Sequence, residues 1–152
     1  MQAIQLLKQE HGKAKAAFQE IESAPASGRS AMWGKLRPEL ELHEQMEEKC
    51  LYGPVAREVQ GDPSLASWET THLHEVQEAE GLIKEIDRLD PAKDAWLASV
   101  KKLHGALEQH IRREEQDIWP KIERVWDSAR LEEAGRQMEA MKKQNQGTAH
   151  TR

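Results

Sequence analysis

One pattern occurs twice in this chain and limits the folds that are open to it. In segment 43–54, a His is followed four residues later by two Glu residues, then by an aliphatic residue, an aromatic residue and a Pro. Segment 110–120 repeats this order, and the only break is an inserted Gly53. The preceding segments also correspond, because His11 and His74 each open a run that ends in Glu-Ile. The chain therefore reads as two copies of one unit, each a helix with a lone His followed by a helix with a His-x-x-x-Glu motif.

Apolar residues recur every three or four positions through most of the chain, which is typical of amphipathic helices. A first helix is expected over about residues 2–22. A loop rich in Ser, Ala and Gly follows, and the second helix is expected to begin between Trp33 and Pro38. Breaks at residues 60–64 and 90–91 separate two further helices.

No segment shows the strict alternation of a β-strand. Short connections between long helices favour antiparallel neighbours. We therefore predict an all-α protein, an up-down-up-down antiparallel four-helix bundle with a short C-terminal fifth helix. A single domain is expected over residues 1–145, followed by a disordered polar tail over 146–152.

Charge and hydropathy exclude several classes of function. The formal net charge of −5 argues against nucleic-acid binding, because phosphate contacts need clustered Lys and Arg. No apolar run is long enough to span a membrane, and no signal peptide is visible. A single cysteine rules out an internal disulfide. We expect a cytoplasmic protein with no nucleic-acid or membrane partner, and the sequence leaves its oligomeric state open.

Each of the four predicted bundle helices carries metal-ligating side chains within its apolar stripe. A lone His on such a face is usually a hydrogen-bonded core residue, and a His-x-x-x-Glu pair can be an ordinary surface contact. Their joint occurrence on four stripes favours a pair of transition-metal ions, and iron, manganese and zinc all suit such donors. The predicted ligands are His11, His43, Glu47, His74, His110 and Glu114. Glu48 and Glu115 are candidates for hydrogen bonds to the ligating imidazoles, whereas Tyr52 and Trp119 are predicted to serve packing.

Two further His residues are predicted to lie outside the metal site. His72 lies about 200° around the helix from His74, so we expect it to face solvent. His104 lies six residues before His110, off the ligand row, and is expected at the boundary of the core.

The order and spacing of these residues resemble the hemerythrin-like, HHE cation-binding family over about residues 4–125. The resemblance implies a four-helix bundle around two iron ions in an oxo- or hydroxo-bridged, non-haem centre. It implies that His11, His43 and His110 serve one iron and His74 the other. It also implies that Glu47 and Glu114 bridge the two ions.

The chain departs from the oxygen carriers of that family at Glu78, where carriers have a His. The resemblance therefore implies a protein that binds or reacts with oxygen, peroxide or nitric oxide in sensing, detoxification or iron handling, rather than a reversible carrier. Oxidase-like or peroxidase-like enzyme activity stays open. The alternatives are iron storage or delivery, iron–sulfur repair, and a bundle stapled by a structural metal. Glu44 and Glu78 are both open as additional ligands.

Overall fold

The computed structural model of the chain describes the backbone of residues 1–150 and the side chains of residues 1–145. This part contains helices and no strand, so the predicted all-α class is confirmed. In chain order the elements are α1 (Ala3–Ser23), α2 (Ala26–Met46), a π-helical turn π1 (Glu47–Tyr52), α3 (Gly53–Glu58), α4 (Pro63–Arg88), α5 (Asp94–Arg113), a second π-helical turn π2 (Glu114–Ile118), α6 (Trp119–Val125) and α7 (Ser128–His150). The predicted disordered tail over 146–152 lies outside the residues whose side chains are described, so it stays a prediction.

Helices α1, α2, α4 and α5 form the bundle. α1 packs against α2 and α5, while α4 packs against α5, α3 and π1. α7 contacts α1, α2 and π1 from outside, and its 23 residues make it longer than the short helix predicted. Within the described residues, no helix combines the length and the apolar character needed to cross a membrane.

The second helix begins earlier than the sequence pattern suggested. α2 starts at Ala26, in a segment whose Ser and Gly residues predicted a loop. Two contacts to α4 and the loop after it hold this part in place. The Arg29 guanidinium donates to the Pro91 carbonyl at 3.0 Å, and Trp33 Nε1 donates to Asp87 at 2.9 Å. Local propensity is weak, so such tertiary contacts override it.

Both copies of the repeated motif contain a π-helical turn that starts at the motif Glu. π1 has six residues and π2 has five, and the inserted Gly53 follows the longer turn. Pro54 and Pro120 then lie in the first turn of the next helix, where a missing backbone N–H is tolerated. π-Helical turns are frequent at functional sites. The sequence repeat is thus also a repeat of backbone geometry, with Glu47 and Glu114 at equivalent points.

Gly53 permits a close backbone approach, which predicts a clear effect of Gly53→Ala. A Cβ at this position meets the Glu48 carbonyl oxygen at 2.7 Å, which is too close for a real contact. We expect the free energy of unfolding of the metal-free protein to fall by about 1–3 kcal/mol, measured by urea denaturation. Gly81→Ala is the control, because a Cβ there meets nothing within 4 Å and Ala favours helix. Equal effects of the two changes contradict the steric explanation.

The apolar core of the bundle is divided into two clusters along its length. One contains Leu7 and Trp119, and the other contains Phe18 and Trp96. On α1, α2 and α4, and on α5 with the π2 turn that follows it, buried or half-buried polar side chains lie between the residues that belong to the two clusters. A polar layer therefore crosses the middle of the bundle.

Candidate metal centre

Five of the six predicted ligands meet in this polar layer. Glu47 and Glu114, the first residues of the two π-helical turns, have no exposed surface. His11 and His110 are buried and His43 is half-buried. Thus α1, α2 and α5 each deliver an imidazole, and each π-helical turn delivers a carboxylate.

The candidate donor atoms fall into two groups, and within each group all atoms lie within 4.8 Å of one another. The first group consists of His11, His43, Glu47 and Glu114. The second group consists of Glu44, Glu47, His72 and His110. Each group offers two imidazoles and two carboxylates, and Glu47 belongs to both. This even division differs from the three-to-one distribution of His that the family resemblance implied.

Four of these atoms are buried and lack a hydrogen-bond partner among the described residues: His11 Nε2, His110 Nε2, Glu47 Oε1 and Glu114 Oε1. Glu114 Oε1 lies 3.3 Å from both of those Nε2 atoms. Two ligands that each bind one ion at about 2.1 Å lie roughly 3–4 Å apart, so these separations fit a cation between them. Buried polar atoms normally have partners. Converging atoms without one indicate a cation site.

Three imidazoles of the layer, those of His43, His72 and His110, are strongly basic because carboxylates surround them. Burial disfavours the charged form of His43, but the Glu47 carboxylate outweighs burial and raises the pKa of His43 to about 9. For His72, burial is likewise outweighed by Glu44 and Glu47, which raise its pKa to about 10. The pKa of His110 is also raised. When no cation is bound, the protonated imidazoles and the carboxylates of this cluster therefore attract one another.

The two motif carboxylates differ in their protonation. Burial alone raises the pKa of Glu47, but the positive charge of His43 outweighs burial and holds that pKa well below its usual range. Burial and the negative charge of Glu47 instead raise the pKa of Glu114. Two carboxylates this close repel each other unless a proton or a cation lies between them.

Carboxylates outside the layer orient two of the imidazoles. His11 Nδ1 lies 2.7 Å from Glu115 Oε2, and His110 Nδ1 lies 2.5 Å from Glu75 Oε2. The outer nitrogen of each ring is thus engaged, and its Nε2 faces the centre, as in many metal-binding His residues. The predicted contact of Glu115 is confirmed. Glu48 comes no closer than 3.8 Å to an imidazole nitrogen, which is beyond hydrogen-bond distance.

Comparison with known proteins agrees with this geometry. The sequence profile of the hemerythrin HHE cation-binding domain matches residues 2–122. The chain belongs to this family. The crystal structure of a hemerythrin HHE cation binding domain-containing protein, the Rv2633c homolog from Mycobacterium kansasii, is similar to it with a TM-score of 0.81 and 25% sequence identity, over 99% of this chain and 91% of that one. No curated protein matches the chain.

In this hemerythrin-family chain, Tyr52 holds the outer oxygens of both motif carboxylates. Its hydroxyl forms a short hydrogen bond with Glu114 Oε2 and lies 3.3 Å from Glu47 Oε2. Trp119 Nε1 donates to the same hydroxyl at 2.7 Å. Burial and the two carboxylates raise the pKa of Tyr52 well above its usual range, so the hydroxyl stays a donor. The one hydroxyl proton goes to Glu114 Oε2, with Glu47 Oε2 close by, and the Oε1 atoms of both carboxylates have no hydrogen-bond partner among the described residues.

Replacing Tyr52 with Phe is expected to weaken metal binding about 10- to 100-fold without changing the number of ions bound, because the carboxylates lose the donor that orients them. Competition with a chromophoric chelator measures this affinity. Trp33→Phe is the control, since it removes a hydrogen bond to Asp87 within the other apolar cluster. Equal affinity in the Tyr52→Phe and unmodified proteins contradicts the orienting role.

The prediction that His74 faces the centre is wrong, as is the prediction that His72 faces solvent. The His74 side chain is 71% exposed and pairs with Glu78 one turn away, whereas His72 has no exposed surface. The buried face of α4 passes through Leu65 and Trp68 to His72 in steps of three and four residues. His74 and Glu78 have the His-x-x-x-Glu spacing, but they lie on the exposed face of α4.

The orientation of α4 also decides between Glu44 and Glu78, the two carboxylates that the sequence left open as additional ligands. Glu44 Oε2 lies 3.0 Å from His72 Nε2 and belongs to the second donor group. Glu78 is 67% exposed and pairs with His74. Glu78 therefore does not lie at the centre, and the departure from the oxygen carriers at this position does not change the donor groups.

Proposed function

We propose that this chain binds two transition-metal ions, with iron as the resident metal, and uses them to bind or transform a small diatomic or peroxide ligand. The observation that supports this most is the convergence of four buried donor atoms that lack a partner among the described residues. A structural core has no need of such atoms, because each one costs free energy when it is desolvated without a partner.

In this proposal each donor group holds one ion, and Glu47 contributes to both. The first ion is held by His11, His43, Glu47 and Glu114, and the second by Glu44, Glu47, His72 and His110. Bound iron supplies one-electron chemistry toward oxygen species or nitric oxide. Glu115 and Glu75 orient the rings, and Tyr52 orients the two motif carboxylates.

A cavity beside the centre supports a small ligand. It lies between α1, α2 and α5, and His11, His43 and His110 line it together with apolar side chains that include Phe18 and Leu40. Its volume is about 40 Å³. On this measure one water needs about 10–15 Å³, so the cavity has room for a diatomic molecule or a peroxide.

Metal affinity is expected to rise with pH. Imidazoles bind metal only when they are neutral. His43 and His72, with pKa values of about 9 and 10, carry protons at neutral pH that a metal must displace. The apparent affinity should therefore increase from pH 6 toward pH 9, and an unbuffered solution should acidify when metal is added. Titration of the ion into metal-free protein at several pH values measures both effects. An affinity independent of pH over this range contradicts the assignment of the imidazoles as ligands.

The function is tested with iron-loaded protein titrated with nitric oxide and with azide, followed by optical absorption. We expect a saturable change of the spectrum. Ala14→Phe, which fills the cavity, should weaken ligand binding at unchanged iron content, whereas Ala16→Phe, on the exposed face of α1, should not. Protein that binds iron but responds to neither ligand contradicts the proposed function and favours a structural or storage role for the metal.

A further inference from the structure

A second arrangement of ionisable groups lies at the same cavity but outside the metal centre. The imidazole of His104, on α5, stacks against Phe18 at 4.7 Å with the ring planes 7° apart. Its Nδ1 lies 2.9 Å from Glu22 Oε2 of α1. Its Nε2 lies 3.1 Å from Glu108 Oε1, one turn further along α5. His104 lines the cavity together with His11, His43 and His110.

The two nitrogens of His104 have different surroundings. Nδ1 forms a well-aligned hydrogen bond with Glu22, whereas Nε2 is buried and has no aligned partner among the described residues. A carboxylate can only accept, so the neutral ring carries its proton on Nδ1. Nε2 is then the basic atom, and its neighbour Glu108 lines the cavity together with His104, whereas Glu22 does not.

A metal site is a poor explanation of this arrangement. The carboxylates of Glu22 and Glu108 lie on different nitrogens of one ring, so they do not converge on one point. Among the described residues, the groups of donors close enough to share an ion do not include His104. A carboxylate that holds one nitrogen, while the other has no aligned hydrogen-bond partner and the residue lines a cavity, is instead the arrangement of a general acid or base.

We propose that His104 is the proton-transfer residue of the cavity, with Glu22 as the residue that positions its ring; this rests on the proposed function, because it assigns a role toward the small ligand. When hydrogen peroxide enters, an O–H bond breaks, an N–H bond forms at His104 Nε2, and a hydroperoxide anion remains. The protonated ring then releases the proton to solvent, to which the His104 side chain is 14% exposed.

Distance sets how the proton travels between His104 and the centre. His104 and His110 are six residues apart on α5, so about 9 Å of helix separates them. Transfer therefore occurs to a ligand or water inside the cavity, not directly to a ligating residue. Other charged groups line the cavity and affect the pH dependence of transfer: Glu10, Lys13 and Lys15 on α1, Glu39 and Glu44 on α2, and Glu108 on α5.

The tautomer is tested first, in the unmodified full-length chain loaded with redox-inert zinc. Nitrogen NMR of labelled His should show His104 with its proton on Nδ1, and azide should shift its Nε2 resonance. In Glu22→Gln the preference for the Nδ1 proton should be lost. His74 is the internal control, because it has the same i,i+4 Glu at 3.1 Å but lies exposed on α4. A proton on Nε2, or an Nε2 resonance that ignores azide, overturns the inference.

Peroxide consumption by the iron-loaded protein is the second readout. His104→Gln should slow it about 100-fold at unchanged iron content, and added imidazole should restore part of the rate. Glu22→Gln should slow it less than His104→Gln does, because the ring keeps Nε2 but loses the carboxylate that positions it. His74→Gln should change nothing. Unmodified protein that consumes no peroxide and binds no azide overturns the proposed function. Reactive unmodified protein with an equally reactive His104→Gln variant overturns only the role of His104.

Discussion

Replacing Glu47 with Gln is expected to leave the chain without either metal ion. Glu47 is shared by both donor groups, and its buried Oε1 lies 3.3 Å from His43 Nε2 and 3.5 Å from His72 Nε2. An amide oxygen carries no net charge, so it cannot serve as an anionic ligand between two cations. The loss of metal affinity should exceed the roughly 100-fold effect of removing a residue that only orients a metal ligand. The number of ions per chain after desalting, measured by plasma mass spectrometry, checks this.

The same change should also destabilise the metal-free protein. At neutral pH the imidazoles of His43 and His72 are protonated, because their pKa values are raised to about 9 and 10. Without the Glu47 carboxylate the two imidazoles lose a partner that raises their pKa, and the loss of one member of such a buried ion pair typically costs about 3–5 kcal/mol. Urea unfolding of metal-free protein at pH 7 measures the difference.

Glu78→Gln is the matched control for Glu47→Gln. His74 and Glu78 have the same spacing as His43 and Glu47, and their side chains lie 3.1 Å apart. However, both are largely exposed, and an exposed pair contributes little to stability. We expect unchanged metal content and nearly unchanged stability. Loss of metal from Glu78→Gln contradicts the placement of α4.

His72→Ala is expected to reduce the metal content from two ions per chain to one. His72 Nε2 lies 3.0 Å from Glu44 Oε2 in the second donor group, and it takes no part in the first. The first group keeps both of its imidazoles and both of its carboxylates. The remaining ion should therefore bind with close to its original affinity, which competition with a chelator measures.

His74→Ala controls for His72→Ala, because the two residues lie two positions apart on α4 and differ mainly in burial. It should retain two ions and leave the thermal midpoint of the metal-loaded protein unchanged. A loss of metal from His74→Ala as large as that from His72→Ala is the result that rejects the helix phase seen in the structure.

The repeated motif made the bundle and most of the centre predictable from sequence. Periodicity of three and four residues fixes which face of a helix is buried, and the motif residues His43, Glu47, His110 and Glu114 lie on that face in both copies. The repeat also showed that Gly53 is inserted in the first copy of the motif. This extra residue corresponds to the longer π-helical turn, π1. The family followed from the same residues.

The phase of α4 was not predictable from the repeat alone. Two His residues, His72 and His74, offered alternative ligand positions on one helix, and the apparent match with His11 favoured the wrong one. Trp68 lies on the buried face in either phase. The start of α4 decides between them, because Leu65 belongs only to the stripe that contains His72.

Contacts between helices account for the remaining differences. Tyr52 was predicted to serve packing, yet its hydroxyl reaches Glu114, which lies 62 residues away in the sequence. His104 was predicted as a boundary residue, and its carboxylate partner Glu22 comes from another helix. Periodicity reports which side of a helix faces inward but gives no information about the polar atoms that meet there.

The number of iron ions bound per chain tests the central claim most directly. Metal-free protein is reconstituted with ferrous iron under anaerobic conditions, freed of unbound metal by gel filtration, and analysed by plasma mass spectrometry against protein concentration. Two donor groups that share Glu47 predict two ions per chain. A chain that retains no iron, or one ion whose retention survives Glu47→Gln, contradicts the account.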